Sequence, residues 1–318
     1  MDLDPARLDA LAAVVEEGSF DAAARRLHVT PSAVSQRVKA LEQQAGQVLV
    51  LRSRPARPTA AGRALVRLAG QIATLRAEAV REVMGAGDLL RLPVVVNADS
   101  LSTWFPTALV GLPDHVLVEL HREDQDHSAE LLRDGAVMAA VTADARAVQG
   151  CRVRRLGAMR YVAVAAPAFH ERWFPGGPQG LAAGLRVAPN LTFNRKDALQ
   201  QRFAARVVER AGAARSGQSG RSVLPAEPAT PPVHYVPSSS AFVELVQAGL
   251  GWGMVPESAA VGPVVDGSLV PLGGGGLDVP LYWQHWRIDA PSLADLTRRV
   301  ERAARASLRP LDVAAGGR

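Results

Sequence analysis

The N-terminal part of the chain shows apolar positions at a helical spacing, divided into three segments by residues that favour helix ends. The expected helix starts are Asp4, Ser19 and Thr30, and the expected stops include Gly18 and Gly46. Proline follows the first and third of these starts, at the helical position where it is best tolerated. Short helices joined by tight turns, with small alanines where they cross, predict a helix-turn-helix.

The third segment, T-P-S-A-V-S-Q-R-V-K-A-L-E at residues 30–42, has an unusual polar side. Its apolar stripe consists of Val34, Val38 and Leu41. At about 100° per residue, the opposite side carries Ser32, Ser35, Gln36, Lys39 and Gln43. An ordinary solvated side would mix Glu with Lys, but this one has no acid. Hydroxyls and amides can read base edges in the DNA major groove, whereas a side that only meets water is the simpler alternative.

Positive charge is concentrated around the same segment, although the formal net charge of the whole chain is only +5. Between residues 25 and 67 the cations are Arg25, Arg26, Arg37, Lys39, Arg52, Arg54, Arg57, Arg63 and Arg67, and the one acid is Glu42. Residues 48–51 read as a short buried strand, and R-S-R-P-A-R-P after it reads as a loop or wing. The predicted DNA-binding residues are Thr30, Pro31, Ser32, Ser35, Gln36, Arg37, Lys39, Arg52, Arg54 and Arg57.

A long helix is predicted after the wing, from a cap at Thr59 to about Met84. Its apolar positions recur at spacings of three and four residues, which is typical of a coiled-coil seam. These positions are Leu65, Leu68, Ile72, Leu75 and Ala79. The seam is short and gives way at Gly85, so the pattern predicts a linker helix.

From Leu92 onward, strand-like runs alternate with helical segments, which predicts an α/β region with mainly parallel strands. The expected strands are 92–96, 116–120, 137–141 and 161–165, and one expected helix is 128–133. Residues 211–233 are rich in glycine, serine and proline and predict a long surface loop.

Composition and motifs argue against several classes of protein. Hydrophobic residues make up 48% and charged residues 21% of the chain, as in soluble globular proteins. No secretory signal and no membrane-length apolar run is visible, so we expect a cytoplasmic protein without a membrane partner. Cys151 is the single cysteine, and the seven histidines show no metal-ligand spacing. Glycines 273–276 lack the Lys-Ser/Thr of a phosphate loop, and G-x-S-x-G is absent, so neither an enzyme nor a cofactor is expected.

The stretch G-S-F-D-A-A-A-R-R-L-H-V-T-P-S-A-V-S-Q-R-V-K-A-L-E, followed by R-P-T and Gly62, resembles the winged helix-turn-helix of LysR-type transcriptional regulators. Four further motifs are similar to the ArgP/LysG branch of that family, which controls basic-amino-acid export. They are V-N-A-D-S-L-S-T-W, E-D-Q-D-H-S-A-E-L-L-R-D-G, P-S-S-S-A-F-V-E-L-V-Q-A-G and L-Y-W-Q-H-W-R. The resemblance covers essentially the whole chain.

The resemblance implies an α/β fold class with an all-α winged helix-turn-helix at its N-terminus and a two-lobed domain like that of periplasmic binding proteins. The expected domains are 1–58 for DNA binding, 59–88 for the linker helix and hinge, and 89–310 for effector binding. Lobe 1 would comprise 89–164 and 267–310, and lobe 2 would comprise 165–266, with chain crossings near 162–166 and 265–269. The implied partners are double-stranded promoter DNA, RNA polymerase and further copies of the chain, paired through the linker helix into dimers or tetramers.

Polar residues follow the ends of several expected strands, where α/β proteins bind ligands. The candidate effector-binding residues are Asn97, Asp99, Ser100, Ser102, Glu123, Asp124, Asn194, Asp197 and Ser239. Helix N–H groups and serine hydroxyls suit an α-carboxylate, and the acids favour a cationic ligand such as lysine or arginine. The alternatives are that Asp99 and the serines only cap helices, and that Glu123 and Asp124 are surface turn acids.

The sequence therefore predicts a regulator that senses lysine or arginine and activates a basic-amino-acid exporter gene. Effector binding would favour one closure of the lobes, re-pack the dimers and alter DNA bending. The alternatives are a LysR-type regulator with a different small-molecule effector and a non-sensing, nucleoid-type DNA-binding protein.

Overall fold

A computed structural model describes residues 3–85, 89–122, 125–216 and 231–311. In chain order the elements are α1 (Pro5–Glu17), α2 (Phe20–Arg26), α3 (Pro31–Ala45), β1 (Val50–Leu51), β2 (Arg57–Pro58), α4 (Ala60–Met84), β3 (Leu90–Val96), α5 (Ala98–Thr103), α6 (Pro106–Leu109), β4 (Val116–Arg122), α7 (Gln125–Asp134), β5 (Ala139–Thr142), β6 (Cys151–Ala165), α8 (Pro167–Trp173), α9 (Gly177–Gly184), β7 (Asn190–Thr192), α10 (Leu199–Ser216), β8 (Val233–Tyr235), α11 (Ser239–Gln247), β9 (Gly253–Pro256), α12 (Glu257–Val265), β10 (Val270–Pro271), β11 (Leu277–Trp286) and α13 (Pro291–Ser307). Contacts divide the chain into two compact units. Unit 1 comprises Met1–Asn97, Thr107–Leu156 and Leu281–Ala303, and unit 2 comprises Ala98–Pro106, Gly157–Pro280 and Ala304–Arg318.

The first three helices begin at the capping residues that the sequence predicts. Asp4, Ser19 and Thr30 each accept a hydrogen bond from a backbone N–H two or three residues further on, at 2.8, 3.1 and 3.2 Å. Gly18 and Gly46 end α1 and α3 with φ of 68°, a left-handed conformation that glycine adopts without steric cost. The predicted helix-turn-helix is confirmed.

The apolar stripe of α3 supplies part of the core of this domain. Val34, Val38 and Leu41 are each 0% exposed and belong to one cluster with Leu8 and Leu11 of α1. Full burial of such a side chain contributes roughly 1.5–3 kcal/mol. The stripe therefore fixes which side of α3 remains available to a partner.

The strand that leads into the wing is shorter than predicted. The expected strand at residues 48–51 is reduced to β1, which pairs antiparallel with β2 in the register Val50↔Pro58. Leu49 and Val50 are buried, whereas Val48 is 59% and Leu51 52% exposed, so the apolar run is not a fully buried strand. The short ladder closes an arginine-rich loop that contacts the end of α1, since the Ala56 N–H donates to the Gly18 carbonyl at 2.7 Å.

Helix α4 begins and ends where the sequence predicts, and its start is joined tightly to the wing. The Thr59 hydroxyl accepts a hydrogen bond from the Gly62 N–H at 3.1 Å and donates one to the Val48 carbonyl at 2.9 Å. A Cβ atom at Gly62 would collide with the Leu49 carbonyl oxygen. The first half of the predicted seam packs on the helix-turn-helix core, whereas Leu75 is 40% exposed.

Within unit 1, β3 lies between two parallel neighbours, pairing with β4 from Leu90↔Val116 to Val96↔Arg122 and with β5. Strand β11 pairs antiparallel with β5. Within unit 2, β7 and β8 are parallel, whereas β6 pairs antiparallel with β9 and β10. The expectation of mainly parallel strands is therefore wrong. Helices lie between the parallel strands along the chain, as between β3 and β4 and between β7 and β8. In the described part of the chain, no helix lies between β5 and β6 or between β10 and β11.

The limits of one strand and one loop in the second half of the chain also differ from expectation. Strand β6 begins at Cys151 rather than at Tyr161, because exposed arginines alternate with less exposed residues and hide the apolar signal. The predicted loop at 211–233 is wrong at both ends, since α10 continues to Ser216 and β8 begins at Val233. Alanines in A-G-A-A-R favour the helix there. Residues 217–230 lie outside the described part of the chain.

The chain passes between the two units at five points, after Asn97, Pro106, Leu156, Pro280 and Ala303, and the third and fourth of these lie within β6 and β11. Both predicted crossings, 162–166 and 265–269, lie inside unit 2. The limits of the domains and lobes therefore stay a prediction. Unit 2 has its own core, which includes Val164, Leu191 and Val246.

Candidate functional site

The N-terminal half of α3 offers hydroxyls, an amide and an ammonium group to solvent. The exposed candidates are Thr30, Pro31, Ser32, Gln36 and Lys39, and the half-buried ones are Ser35 and Arg37. Thr30 Oγ1 caps the helix and lies 2.9 Å from Ser32 Oγ, so these two hydroxyls also order the helix start. Gln36 and Lys39 are one turn further along on the same side.

The one acid of the basic segment has an internal role that the sequence did not reveal. Glu42 Oε1 accepts hydrogen bonds from the backbone N–H groups of Leu49 and Val50 at 2.9 and 3.4 Å. A carboxylate that accepts two N–H bonds makes charge-assisted contacts. Glu42 thus ties β1 to the C-terminal half of α3 and leaves the exposed N-terminal half without an acid.

The three wing arginines are all exposed, but they have different surroundings. The Arg52 guanidinium lies 4.9 Å from the ring centroid of Phe20, a cation–π contact that orders it. Arg57 lies near Asp134, whose pKa is raised by burial and lowered in part by Arg63 and Arg57. Arg54 makes no ion pair with a described residue.

The structure brings the side chains of two polar residues of unit 2 into contact with the Asp99 carboxylate. The Tyr161 hydroxyl donates to Asp99 Oδ2 at 2.7 Å, and the Ser239 hydroxyl donates to Asp99 Oδ1 at 2.7 Å. We name these three residues the Asp99 cluster. Ser238, not Ser239, caps α11 by accepting from the N–H of Ala241. The Ser239 hydroxyl therefore binds Asp99 and does not cap α11.

The electrostatics of the Asp99 cluster disfavour negative charge. Burial raises the pKa of Asp99, against the lowering effect of the Tyr161 and Ser239 hydrogen bonds, and the charge of Asp197 raises it further. Burial raises the pKa of Tyr161 well above its ordinary value, and Asp99 and Asp197 add to the shift. The described influences on the pKa of Asp99 include no cation.

Asp197 and Asn194 shape the turn before α10. Asp197 Oδ2 accepts from the Phe193 N–H at 3.0 Å, and Oδ1 accepts from the Leu199 N–H at 2.9 Å. Asn194 Oδ1 accepts from the N–H groups of Lys196 and Asp197 at 2.8 and 3.1 Å. Asp197 therefore acts on the Asp99 cluster through its charge, while its oxygens hold the backbone.

The other candidates are dispersed. Ser100 is 0% exposed and Asn97 5% exposed, and neither Ser100 Oγ nor Asn97 Oδ1 has a hydrogen-bond partner among the described residues. Ser102 is exposed and donates to the Ala98 carbonyl at 2.9 Å. Glu123 and Asp124 lie outside the described residues, so their proposed role stays a prediction.

Sequence reasoning missed two polar residues in unit 2. Tyr161 sits in an apolar strand run, and a lone tyrosine there is the only signal that could have marked it. Gln200, in the first turn of α10, is 2% exposed, and neither atom of its amide has a hydrogen-bond partner among the described residues. No local pattern distinguishes it from Gln201, which is exposed.

A largely apolar cavity of about 620 Å³ also lies in unit 2. Its walls include Phe174, Leu181, Val207 and Leu272, with Arg210 among its few charged residues. The cavity shares no lining residue with the Asp99 cluster. Within the described ranges, no helix has the length and apolarity to cross a membrane, and no three His, Cys, Asp or Glu side chains are grouped to hold a metal ion.

The fold and these sites define a bacterial helix-turn-helix regulator with a ligand-binding region, and two family profiles agree. Residues 5–63 match the bacterial regulatory helix-turn-helix protein, lysR family, and residues 101–305 match the LysR substrate binding domain. The chain belongs to the LysR family of transcriptional regulators. The resemblance found in the sequence is confirmed.

Individual relatives are similar over nearly the whole chain. The lysine export transcriptional regulatory protein LysG of Corynebacterium glutamicum is 40% identical over 310 residues, which cover 97% of this chain and 100% of the relative. The crystal structure of ArgP from Mycobacterium tuberculosis has a TM-score of 0.84 and 48% identity, covering 98% of this chain and 100% of that one. Full-length LysG from C. glutamicum with bound effector Arg has a TM-score of 0.76 and 37% identity, covering 97% and 100%.

Proposed function

We propose that this chain is a DNA-binding regulator that senses a basic amino acid, lysine or arginine, at the Asp99 cluster and activates a basic-amino-acid exporter gene. The observation that carries the sensing role is Asp99 itself, a carboxylate with a raised pKa and no cation among its described influences. Such a group gains most from a ligand that brings positive charge. No enzymatic step is part of this proposal.

The DNA-binding role is supported by the exposed side of α3 and by the wing. Gln36 offers an amide that can pair with a base edge, and Lys39 suits a phosphate. Arg52, Arg54 and Arg57 are exposed beside this side and suit phosphate or minor-groove contact. Because Glu42 is engaged internally, no acid at the helix start opposes the DNA backbone.

The ligand class is supported by charge and by the relatives. The Asp99 and Asp197 carboxylates influence each other, so a ligand with an ammonium or guanidinium group relieves a repulsion that a neutral amino acid leaves in place. Ser239 provides a hydroxyl within the Asp99 cluster, and Ser100, the residue after Asp99, provides another. The C. glutamicum relative is named for lysine export, and its effector-bound structure holds arginine.

The chain also carries a surface suited to pairing with another copy. Along the C-terminal half of α4, Leu75 is 40%, Val80 39%, Val83 83% and Met84 73% exposed. Contiguous exposed apolar residues on a helix indicate an interaction site. We therefore propose a homodimer through α4, with further pairing to a tetramer and contact with RNA polymerase at the promoter.

The test is a calorimetric titration of the full-length protein with lysine, arginine and two neutral controls. Citrulline has the shape of arginine without its side-chain charge, and norleucine is lysine with the side-chain ammonium replaced by a hydrogen atom. We expect both basic ligands to bind at least about tenfold more tightly than their controls, since a charge-assisted contact is lost. Equal binding of charged and neutral partners would point to a different effector, and absence of all four heats to a non-sensing DNA-binding protein.

A further inference from the structure

Gln200 is the most completely unpaired buried polar side chain in the described part of unit 2. It is 2% exposed, and both its Oε1 and its Nε2 lie buried without a hydrogen-bond partner. Buried amides in native proteins are almost always paired, and each orphan atom loses the hydrogen bond it made with water. A side chain of similar volume without polar atoms, such as Met, would fill the same space without that loss. Packing alone does not explain a glutamine here.

The position of Gln200 connects it to the Asp99 cluster. It lies three residues after Asp197, whose carboxylate holds the N–H of Leu199 at the start of α10. The same Asp197 charge raises the pKa of both Asp99 and Tyr161. The first turn of α10 therefore adjoins the cluster, and Gln200 is the buried polar residue on that turn.

The surroundings of Gln200 on its other side are apolar. Phe203, one turn further on the same side of α10, is 0% exposed and lies 5.7 Å from Trp252, ring centroid to ring centroid. Trp252 is 1% exposed, and its indole N–H also has no described acceptor. Phe203 and Trp252 therefore supply no described hydrogen-bond partner for the Gln200 amide.

We propose that Gln200 binds the α-amino acid group of the effector, its Oε1 accepting from the α-ammonium and its Nε2 donating to the α-carboxylate. A primary amide offers one acceptor and two donors, which a zwitterion satisfies together, whereas a side-chain guanidinium satisfies only the acceptor. This inference rests on the proposed sensing function and assigns the two ends of the ligand. Gln200 reads the amino acid backbone, and the Asp99 carboxylate takes a positive charge.

The test compares arginine with agmatine, which is arginine without its carboxylate, on Gln200→Met in the full-length protein. We expect the arginine affinity to fall roughly tenfold or more, and the agmatine affinity to fall by a smaller factor, because agmatine keeps the amine that Oε1 would bind but lacks the carboxylate that Nε2 would bind. The thermal unfolding temperature of the effector-free variant should not fall, because the substitution removes an unpaired amide. Gln201→Met, at the exposed neighbour, is the matched control and should bind both ligands as the wild type does.

Each other outcome decides against the assignment. If Gln200→Met binds arginine as the wild type does, a buried water satisfies the amide and the inference is overturned. If the affinities for arginine and agmatine fall by the same factor, Gln200 acts on the fold or on the guanidinium end of the ligand. If the Met variant does not fold, Gln200→Asn replaces it, because this substitution keeps the amide but shortens the side chain by one carbon–carbon bond. It should also lower the affinity for arginine more than the affinity for agmatine. If the wild type binds no basic amino acid, the proposed function fails first.

Discussion

Replacing Asp99 by Asn tests the sensing site through both ligand binding and stability. The substitution preserves the shape of the side chain and one acceptor oxygen, but it removes the charge. A hydrogen bond to a charged group contributes about 1.5–3 kcal/mol, and one between neutral groups about 0.5–1.5 kcal/mol. We therefore expect the binding free energy of arginine to weaken by about 1.4 kcal/mol, which is about tenfold in Kd.

The stability of the effector-free protein should change in the opposite sense. Burial raises the folded pKa of Asp99 above its unfolded value, so the folded protein binds this proton more tightly. That stabilising contribution is fully present below the unfolded pKa of about 3.9 and is lost as pH rises through the folded value. At a pH above the folded pKa the wild type lacks it, and Asp99→Asn should then unfold at an equal or higher temperature.

The pH dependence of binding follows from the same shift. A cationic ligand favours ionised Asp99, so the arginine affinity of the wild type should fall as pH is lowered through the raised folded pKa. Calorimetry over a pH series measures this trend, which Asp99→Asn should flatten. Asp278→Asn is the control, because it removes a surface acid of unit 2 that pairs with Arg160 at 2.8 Å.

The reasoning would be refuted if Asp99→Asn bound arginine as tightly as the wild type, or if it unfolded at a markedly lower temperature than the wild type over the whole pH series. The first result would remove Asp99 from the effector site. The second would show that the Tyr161 and Ser239 hydroxyls need the carboxylate for folding, so that the cluster is structural.

Further variants test the DNA-binding surface. Arg54→Ala should weaken binding to all duplexes and flatten the slope of log affinity against log salt by about one unit, measured by fluorescence anisotropy. Arg52→Ala is a less clean probe because Arg52 also packs on Phe20. Gln36→Ala should keep the salt slope and relax selectivity at particular base pairs, and unchanged selectivity would contradict a reading role. Glu42→Ala should lower the opening free energy of the wing by about 2 kcal/mol in hydrogen exchange, since two N–H groups lose their acceptor, and Glu42→Gln should lower it less.

The helix-turn-helix could be predicted from the sequence because its determinants are local. Thr30 caps a helix whose stripe, stop and polar side all lie within a few turns, so spacing alone places them. Strand direction in the second half was predicted wrongly, because the alternation of strands and helices does not show that β6 and β11 arrive without a crossover helix. Directions there depend on connections rather than on composition.

The candidate effector site was predictable only in part. Asp99 and Ser239 were named from their positions after a strand and before a helix, but their 2.7 Å contact joins residues 140 positions apart. The local sequence gives little indication of the roles of Tyr161 and Gln200. Tyr161 matters because its hydroxyl donates to the Asp99 carboxylate, and Gln200 matters because the fold leaves its amide without a described partner. Side-chain partners set by tertiary packing cannot be read from periodicity.

The contact of Gly62 with the Leu49 carbonyl has a mechanical consequence. With no side chain between them and the Thr59 hydroxyl bonded across the joint, the wing and the first turn of α4 are in direct contact. A change in the direction of α4 would therefore also move the wing. In a homodimer joined along α4, as proposed above, the direction of α4 would then set the spacing of the two wings.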